Sequence, residues 1–426
     1  MTIPSGLVLD VSTLLDEQRC TRPAIRALSP QLDSLRRELQ DWRHGQPFSF
    51  YHLPFVDETR AIRERATRIT QRFARTMVFG IGGSSLGGEM LVRSLGGTAH
   101  PVRFFDNIDP STLAELERTD WHSTALLVIS KSGNTAETLA QFLSLLPRLE
   151  ADLGTQLREH VQVITENRDG ALAHIATDLG IEIVVHPPVG GRYSVLSVVG
   201  LLPAAIAGVD VVALLAGARA MAGECGQNDM LDNPAFFNGA AQYLHAQQGR
   251  SICVFMPYAD RLRPLGLWYR QLWAESLGKH DQNGRACGLT PALAMGVTDQ
   301  HSQLQLYLDG PDDKQFSLLA DPNLGTLGWR VPERFSGLPA TAPLVGHTTG
   351  ELLLAEFRAT RETLTRHKRP NRTILLDTRN PAAIGALILL LELETVVVAR
   401  LLNIDPFDQP AVEESKVLAR EYLKRR

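Results

Sequence analysis

From Thr76 onward, short apolar runs alternate with helix-length segments, and this alternation restricts the fold more than any other feature of the chain. The runs TMVFGIG, PVRFFDN, TALLVIS, VQVIT and IEIVVHP are almost continuously apolar, as strands are when helices cover both faces of a parallel sheet. Helices are predicted at Leu86 to Leu95 and Thr135 to Leu146, then at Ser194 to Ala207, Val211 to Gly223 and Pro234 to Gln248. A shorter second series follows: SICVFMPY, a helix from Leu265 to Leu277, FSLLA, a helix from Gly350 to Thr365, and RTILLD. The expected fold class is therefore α/β, with two three-layer αβα sandwiches on parallel sheets. No fixed-period repeat relates the two halves.

At 426 residues, the chain has room for two large domains. The expected segments are an N-terminal helical arm at 1–55, a first sandwich at 56–225, a second at 226–403, and a C-terminal helix at 404–426. The arm carries a helix from Gln31 to Trp42 and the stretch PFSFYHLPF, and nothing in it specifies a chemical role. Ala382 to Leu402 is apolar enough to raise the question of a membrane span, but Glu392, Glu394 and Arg400 interrupt it, so a buried core helix is expected. The 43 basic and 47 acidic residues leave a net charge of -4, which supplies no global field for nucleic acid or an anionic membrane. An anionic ligand must be held locally. Cys20, Cys225, Cys253 and Cys287 are too scattered for a zinc pair and too few for a disulfide scaffold, and the N-terminus lacks the pattern of a secretory signal. A cytoplasmic location is expected.

Three loops at the carboxyl ends of strands could hold an anion. GIGGSSLGG, Gly80 to Gly88, brings backbone N–H groups close together at the start of a helix. It lacks the Gly-Lys-Ser/Thr of a Walker A loop and has Ser85 where the dinucleotide fingerprint needs its third glycine, which argues against a nucleotide. A turn needed only for strand–helix packing remains the alternative. SKSGNTAET crowds Ser130, Lys131, Ser132 and Thr135 at a helix amino terminus, more donors than simple capping by Ser132 or Asn134 requires, and this points to a phosphomonoester. In PPVGGRYSVLSVVG, Arg192 stands just before a helix, where a cation opposes the dipole. It calls for a negative neighbour, either a ligand or a structural carboxylate.

In WYRQLWAESLGK, Gln271 and Glu275 are four residues apart and share a helix face, with Trp268, Leu272 and Trp273 supplying apolar surroundings. Glu275 is a candidate general base, against the commoner reading of a solvated glutamate. His301 in GVTDQHSQLQLYLDGP, and Gln409 and Lys416 in FDQPAVEESK, are weak signals individually.

Together these segments resemble the glucose-6-phosphate isomerase (phosphoglucose isomerase) family, in its shorter bacterial type. GGRYSVLSVVG is similar to the family's G-G-R-F/Y-S signature, and FDQPAVEESK to its second signature; the likeness runs in order from Gly80 to Lys416. The resemblance implies two sugar isomerase (SIS) domains and a hexose 6-phosphate substrate. Ser130, Lys131, Ser132 and Thr135 then fall where the family binds phosphate, and Ser84 in the loop bordering the substrate. Glu275 matches the base that moves a proton between C1 and C2, Arg192 the residue beside the enediolate, Gln271 and Gln409 sugar-contacting glutamines, and His301 and Lys416 the ring-opening groups. It also implies a homodimer with His301 crossing the interface, no cofactor or metal, and a C-terminal helix closing the site. Ser132 replaces a threonine of the longer forms, and the segment around His301 is similar to the shorter bacterial ones. Discrimination between glucose and mannose epimers is therefore inherited less directly than isomerisation. A phosphoglucose/phosphomannose isomerase is the near alternative. A non-catalytic SIS sensor has no need of Glu275, His301 and Lys416, and amino-sugar isomerisation would need an ammonia-handling partner.

Overall fold

The computed structural model describes residues 1–226 and 229–425; residue 426, the end of the expected C-terminal segment, and 227–228, at the start of the expected second sandwich, lie outside the described residues. The first sheet has five parallel strands in the order Val102–Phe105, Arg75–Phe79, Thr124–Ile129, Val161–Thr165, Glu182–Val185. Alternate side chains go to opposite faces, as the period of a strand dictates. Met77, Phe79, Leu126 and Val128 enter a core under the helix Ala136–Leu153, while Val78, Leu127 and Ile129 enter the large central core.

The second sheet repeats this arrangement. Four parallel strands run in the order Asn371–Leu375, Lys314–Ala320, Ile252–Pro257, Thr290–Leu293. Val254, Met256, Phe316 and Leu318 face an outer core, and Phe255 and Leu319 the central one. Both sheets therefore have two covered faces, the α/β sandwich pattern predicted from their apolar runs. Two features differ from the sequence expectation. Thr290–Leu293 is an additional parallel strand, and the N-terminal arm is not wholly helical: Leu7–Asp10 pairs antiparallel with Asn371–Leu375, followed by Thr2–Ile3 at the edge. The first residues of the chain thus extend the sheet formed by its second half.

The helix Pro381–Leu401 runs through the central core, with 94% of its most apolar window buried in the protein. Length and composition would let it cross a membrane; its packing is that of a core helix. Its two acids are fully buried. Glu394 pairs at 2.7 Å with Arg372, which comes from the strand Asn371–Leu375. Among the described residues Glu392 has no hydrogen-bond partner on either oxygen, and burial pushes its pKa well above the ordinary carboxylate range.

The C-terminal helix Glu413–Lys424 has no buried residue, and Val417, Leu418, Tyr422 and Leu423 are exposed. Ile404 and Pro406, just before it, are buried. The apolar side chains that could dock it remain in solvent.

Candidate active site

Strand order places the site. Val102–Phe105 lies on one side of Arg75–Phe79 and Thr124–Ile129 on the other, so the chain reverses its direction of progress across the sheet between these neighbours. Loops diverge above such a switch point and leave a crevice. The two loops there are Gly80–Ser84 and Ser130–Thr135, the same two glycine- and hydroxyl-rich segments that stand out in the sequence.

In the second loop, Ser130 is buried and its hydroxyl lies 2.9 Å from that of Thr135. The Ser132 hydroxyl accepts from the Asn134 N–H at 3.2 Å, and Gly133 takes φ +67°, a left-handed conformation that glycine adopts without strain. The helix Ala136–Leu153 begins after Thr135, whose side chain makes no capping bond to its first turn. The simple capping alternative is therefore not what this loop does: the Asn134 side chain instead accepts from Ala171 N–H at 2.9 Å. The Lys131 ammonium lies 3.4 Å from Glu166, with both side chains partly exposed.

The first loop brings the pieces together. A Cβ at Gly83 would lie 2.2 Å from the carbonyl carbon of Gly191, so only glycine permits this loop to touch the Gly190–Tyr193 turn backbone to backbone. Gly82 lies against Gln271: a Cβ there would be 3.0 Å from the Gln271 amide nitrogen. Ser84 ends the short helical turn Gly82–Ser84 and is half-buried. Across these contacts the helix Arg263–Leu277 of the second half reaches the loops of the first.

That helix is buried apart from a stripe along one side at Arg263, Leu267, Arg270, Gln271, Ala274 and Glu275. Trp268, Leu272 and Trp273 belong to the core, so the surroundings of Glu275 are more polar than its sequence neighbours suggest. The Gln271 amide donates to Glu275 Oε1 at 3.1 Å, and Arg192 Nη1 donates to Glu275 Oε2 at 3.3 Å. Nη1 also bonds Gln409 Oε1. Nη2 donates to the carbonyls of Pro406 at 2.6 Å and Asp408 at 2.9 Å. Of the two negative neighbours that the position of Arg192 calls for, the structure holds the carboxylate, and that carboxylate is the candidate base Glu275.

The segment that carries Gln409 is held on two other sides. Phe407 packs against Trp42, Phe50 and Tyr193, with ring centroids 5.7, 6.2 and 5.4 Å away, and Lys279 bonds Asp408. The N-terminal arm therefore supplies a wall of the site through Trp42 and Phe50. Beside this wall, a cavity of about 1470 Å³ opens onto Glu275, Tyr193, Lys279 and Gln409.

Arg192, Gln271, Glu275 and Gln409 converge, and the Gly82–Ser84 turn adjoins them through Gln271 and Gly191; the Ser130–Thr135 loop follows the neighbouring strand. Two expected residues do not. His301 is exposed, on a turn pinned by Asp299, which accepts from Met295 N–H at 2.6 Å and the Ser302 hydroxyl at 2.6 Å. Lys416 is exposed and bonds Glu413 at 2.7 Å, one turn earlier on the undocked helix. Residues not singled out from sequence also take part: Tyr193, Ser276, Lys279, Asp408 and the two arm aromatics. Lys279 and Asp408 could have been suspected as opposite charges flanking Glu275 and Gln409; Ser276 gave no signal beyond adjacency.

Comparison with known proteins identifies relatives of the whole chain. A sequence model of the family Phosphoglucose isomerase matches residues 63–312 and 339–426. The glucose-6-phosphate isomerase of Rubrobacter xylanophilus is 40% identical over 97% of this chain and 96% of its own, and that of Carboxydothermus hydrogenoformans 37% identical over 94% and 90%. Among solved structures, a hypothetical protein of Thermus thermophilus superposes with a TM-score of 0.88 at 34% identity, over 98% of this chain and 99% of that one. A glucose-6-phosphate isomerase of Chlamydia trachomatis, at 21% identity, shares the fold with a TM-score of 0.79 over 99% and 89%. The sequence match covers the whole first sheet, the strands Ile252–Pro257, Thr290–Leu293 and Asn371–Leu375 of the second, and every residue of the Arg192–Gln271–Glu275–Gln409 cluster, and by it the chain belongs to the phosphoglucose isomerase family.

Proposed function

We propose that this chain interconverts glucose 6-phosphate and fructose 6-phosphate by proton transfer between C1 and C2 through a cis-enediolate, a step of glycolysis and gluconeogenesis carried out in the cytoplasm. The observation that carries this reading is the Glu275 carboxylate, about a third exposed, held between the Arg192 guanidinium and the Gln271 amide. A carbon acid next to a carbonyl is far weaker than a carboxylic acid, so a carboxylate removes its proton only if the developing oxyanion is stabilised in the same step. Glu275 takes the proton and Arg192 Nη1 faces the oxyanion. A positioned base contributes about 10² to 10⁴ in rate and one oriented donor about 2.7 to 4 kcal/mol. Each needs the other. Both are side chains, so the proposed reaction is written without a cofactor.

Substrate orientation is assigned to the other groups. Ser130, Ser132 and Thr135, with the open N–H groups of the helix after them, take the phosphate; Lys131 joins by exchanging Glu166 for it. Ser84 borders the sugar, and Gln271 and Gln409 contact its hydroxyls. Fixing the charged end of the hexose holds C1 and C2 against Glu275, so phosphate binding lowers the barrier to proton transfer.

His301 and Lys416 are proposed to open the sugar ring. In one chain His301 points outward from a pinned turn, while a wide cavity leaves Glu275 accessible. This supports a homodimer in which each site receives His301 from the neighbouring copy. Lys416 would arrive when the helix Glu413–Lys424 docks.

A coupled assay with fructose 6-phosphate tests the function on the purified chain. Turnover that disappears in Glu275→Gln is expected; a wild-type chain that binds fructose 6-phosphate without converting it would leave only a sugar-phosphate sensor. Mannose 6-phosphate in a parallel assay reads the epimer preference.

A further inference from the structure

We infer that Ser276, supported by Tyr193, is the positioning residue that sets the angle of the Arg192 guanidinium in the site. The inference rests on the reading of Arg192 as partner of the enediolate oxygen.

A guanidinium has five N–H donors in one rigid plane, and all five have acceptors here. Nη2 donates to two backbone carbonyls, those of Pro406 and Asp408. Nε donates to the Ser276 hydroxyl at 2.8 Å. Nη1 meets Glu275 and Gln409, the partly exposed side chains of the site, so it is the nitrogen whose partners can be exchanged for substrate. Its direction follows from how the other two are held. The carbonyls fix the far end of the plane, and Ser276 fixes the edge next to the aliphatic stem.

The Ser276 hydroxyl is itself held. It is fully buried and lies 3.0 Å from the Tyr193 hydroxyl. The Tyr193 ring is packed against Phe50 at 4.9 Å and Phe407 at 5.4 Å. Burial pushes the Tyr193 phenol up to about 12, so it stays a neutral hydroxyl beside the serine. Ser276 also directly follows Glu275 on the same helix. One segment therefore presents the base and orients the base's electrostatic partner, which couples their separation to a single piece of backbone. Removing the hydroxyl leaves Nε a buried donor without an acceptor, and the plane must turn to find one.

Ser276→Ala, Ser276→Thr and Tyr193→Phe decide the matter on the full chain. In Ser276→Ala, kcat for fructose 6-phosphate is expected to fall about 10- to 100-fold with KM changed less than about threefold, since a misplaced donor costs the transition state and not ground-state binding. Affinity for a phosphorylated hydroxamate, whose planar acid mimics the enediolate, falls by a similar factor. Ser276→Thr returns the acceptor oxygen and retains kcat within about threefold, and Tyr193→Phe falls between the two. A merely structural role would lower Tm but leave kcat and hydroxamate affinity of the folded variant intact, and that result overturns the inference. If Ser276→Ala does not fold, wild-type kcat and hydroxamate affinity in Tyr193→Phe overturn it instead. A wild-type chain without isomerase activity defeats the parent reading as well, whereas an active wild type with an equally active Ser276→Ala defeats this one alone.

Discussion

Arg192 and Glu275 form an ion pair in which the two partners differ sharply in exposure: the guanidinium side chain is 1% exposed and the carboxylate 31%. The arginine comes from a turn of the first half and the glutamate from a helix of the second. The buried partner is fixed by carbonyls and a serine, whereas the exposed one has two side-chain neighbours and an open side. A substrate can therefore displace the contact without disturbing the anchor. Glu275→Gln keeps the shape and removes the base. It is expected to lower kcat at least 10³-fold, to the background left by binding and electrostatics, with sugar-phosphate affinity within a few-fold of wild type. Near-normal turnover in that variant would falsify the assignment of the base.

The Ser130–Thr135 loop makes a separate prediction, because it can fail while the proton-transfer machinery stays intact. The Ser132 hydroxyl accepts from a local backbone N–H, and Thr135 is tied to Ser130. Both hydroxyls can turn toward a phosphate at little cost. Changing Ser132 and Thr135 together to Ala should remove two hydroxyl hydrogen bonds to the dianion and raise KM about 10- to 100-fold. Inorganic phosphate, as a competitive inhibitor, should weaken in parallel. An unchanged inhibition constant in the double variant would move the phosphate elsewhere.

What could be read from the sequence divides along physical lines. Buried parallel strands announce themselves as apolar runs, so TALLVIS and SICVFMPY were legible, whereas Thr290–Leu293, with Pro291 inside it and two glycines nearby, resembles a turn. The strands of the arm are too short to show a period and acquire their identity by pairing with Asn371–Leu375. In the site, Gln271 and Glu275 were legible because helical spacing puts them on one stripe, and Arg192 because a cation beside a helix start needs an explanation. Ser276 was not, because its importance lies in a contact with a turn 84 residues away. The directions of His301 and Lys416 were equally hidden, being set by a local acid in one case and an undocked helix in the other.

If His301 acts across a dimer interface, the two defects can be separated onto different subunits. Glu275→Gln chains keep His301, and His301→Ala chains keep Glu275. A hybrid of the two contains one site with both groups intact, so an equimolar mixture with random pairing should recover about a quarter of wild-type activity. Each parent dimer alone remains inactive. Coexpression with two affinity tags isolates the hybrid, and an inactive purified hybrid would place His301 in the site of its own chain.

The buried acid Glu392 provides the last prediction, which concerns pH and stability instead of catalysis. Its side chain is 1% exposed and neither oxygen has a hydrogen-bond partner, so the native state keeps the proton at pH values where the unfolded chain has lost it. The native state then binds more protons than the unfolded state, and the linkage makes stability fall as pH rises above the ordinary carboxylate range. The contribution is whole at acid pH and declines at up to about 1.4 kcal/mol per pH unit until the native pKa is reached. Glu392→Met has a similar volume and no proton to exchange. Its stability relative to wild type should therefore rise steadily from pH 5 to pH 8, since removing an unpaired buried acid in favour of an apolar side chain is stabilising. Thermal unfolding of both proteins across that range measures the difference directly, and subtracting the two curves cancels the neighbouring Arg372–Glu394 pair, which both retain. A difference independent of pH would mean that Glu392 is equally ionised in the folded and unfolded chains, contrary to its complete enclosure beside Tyr193.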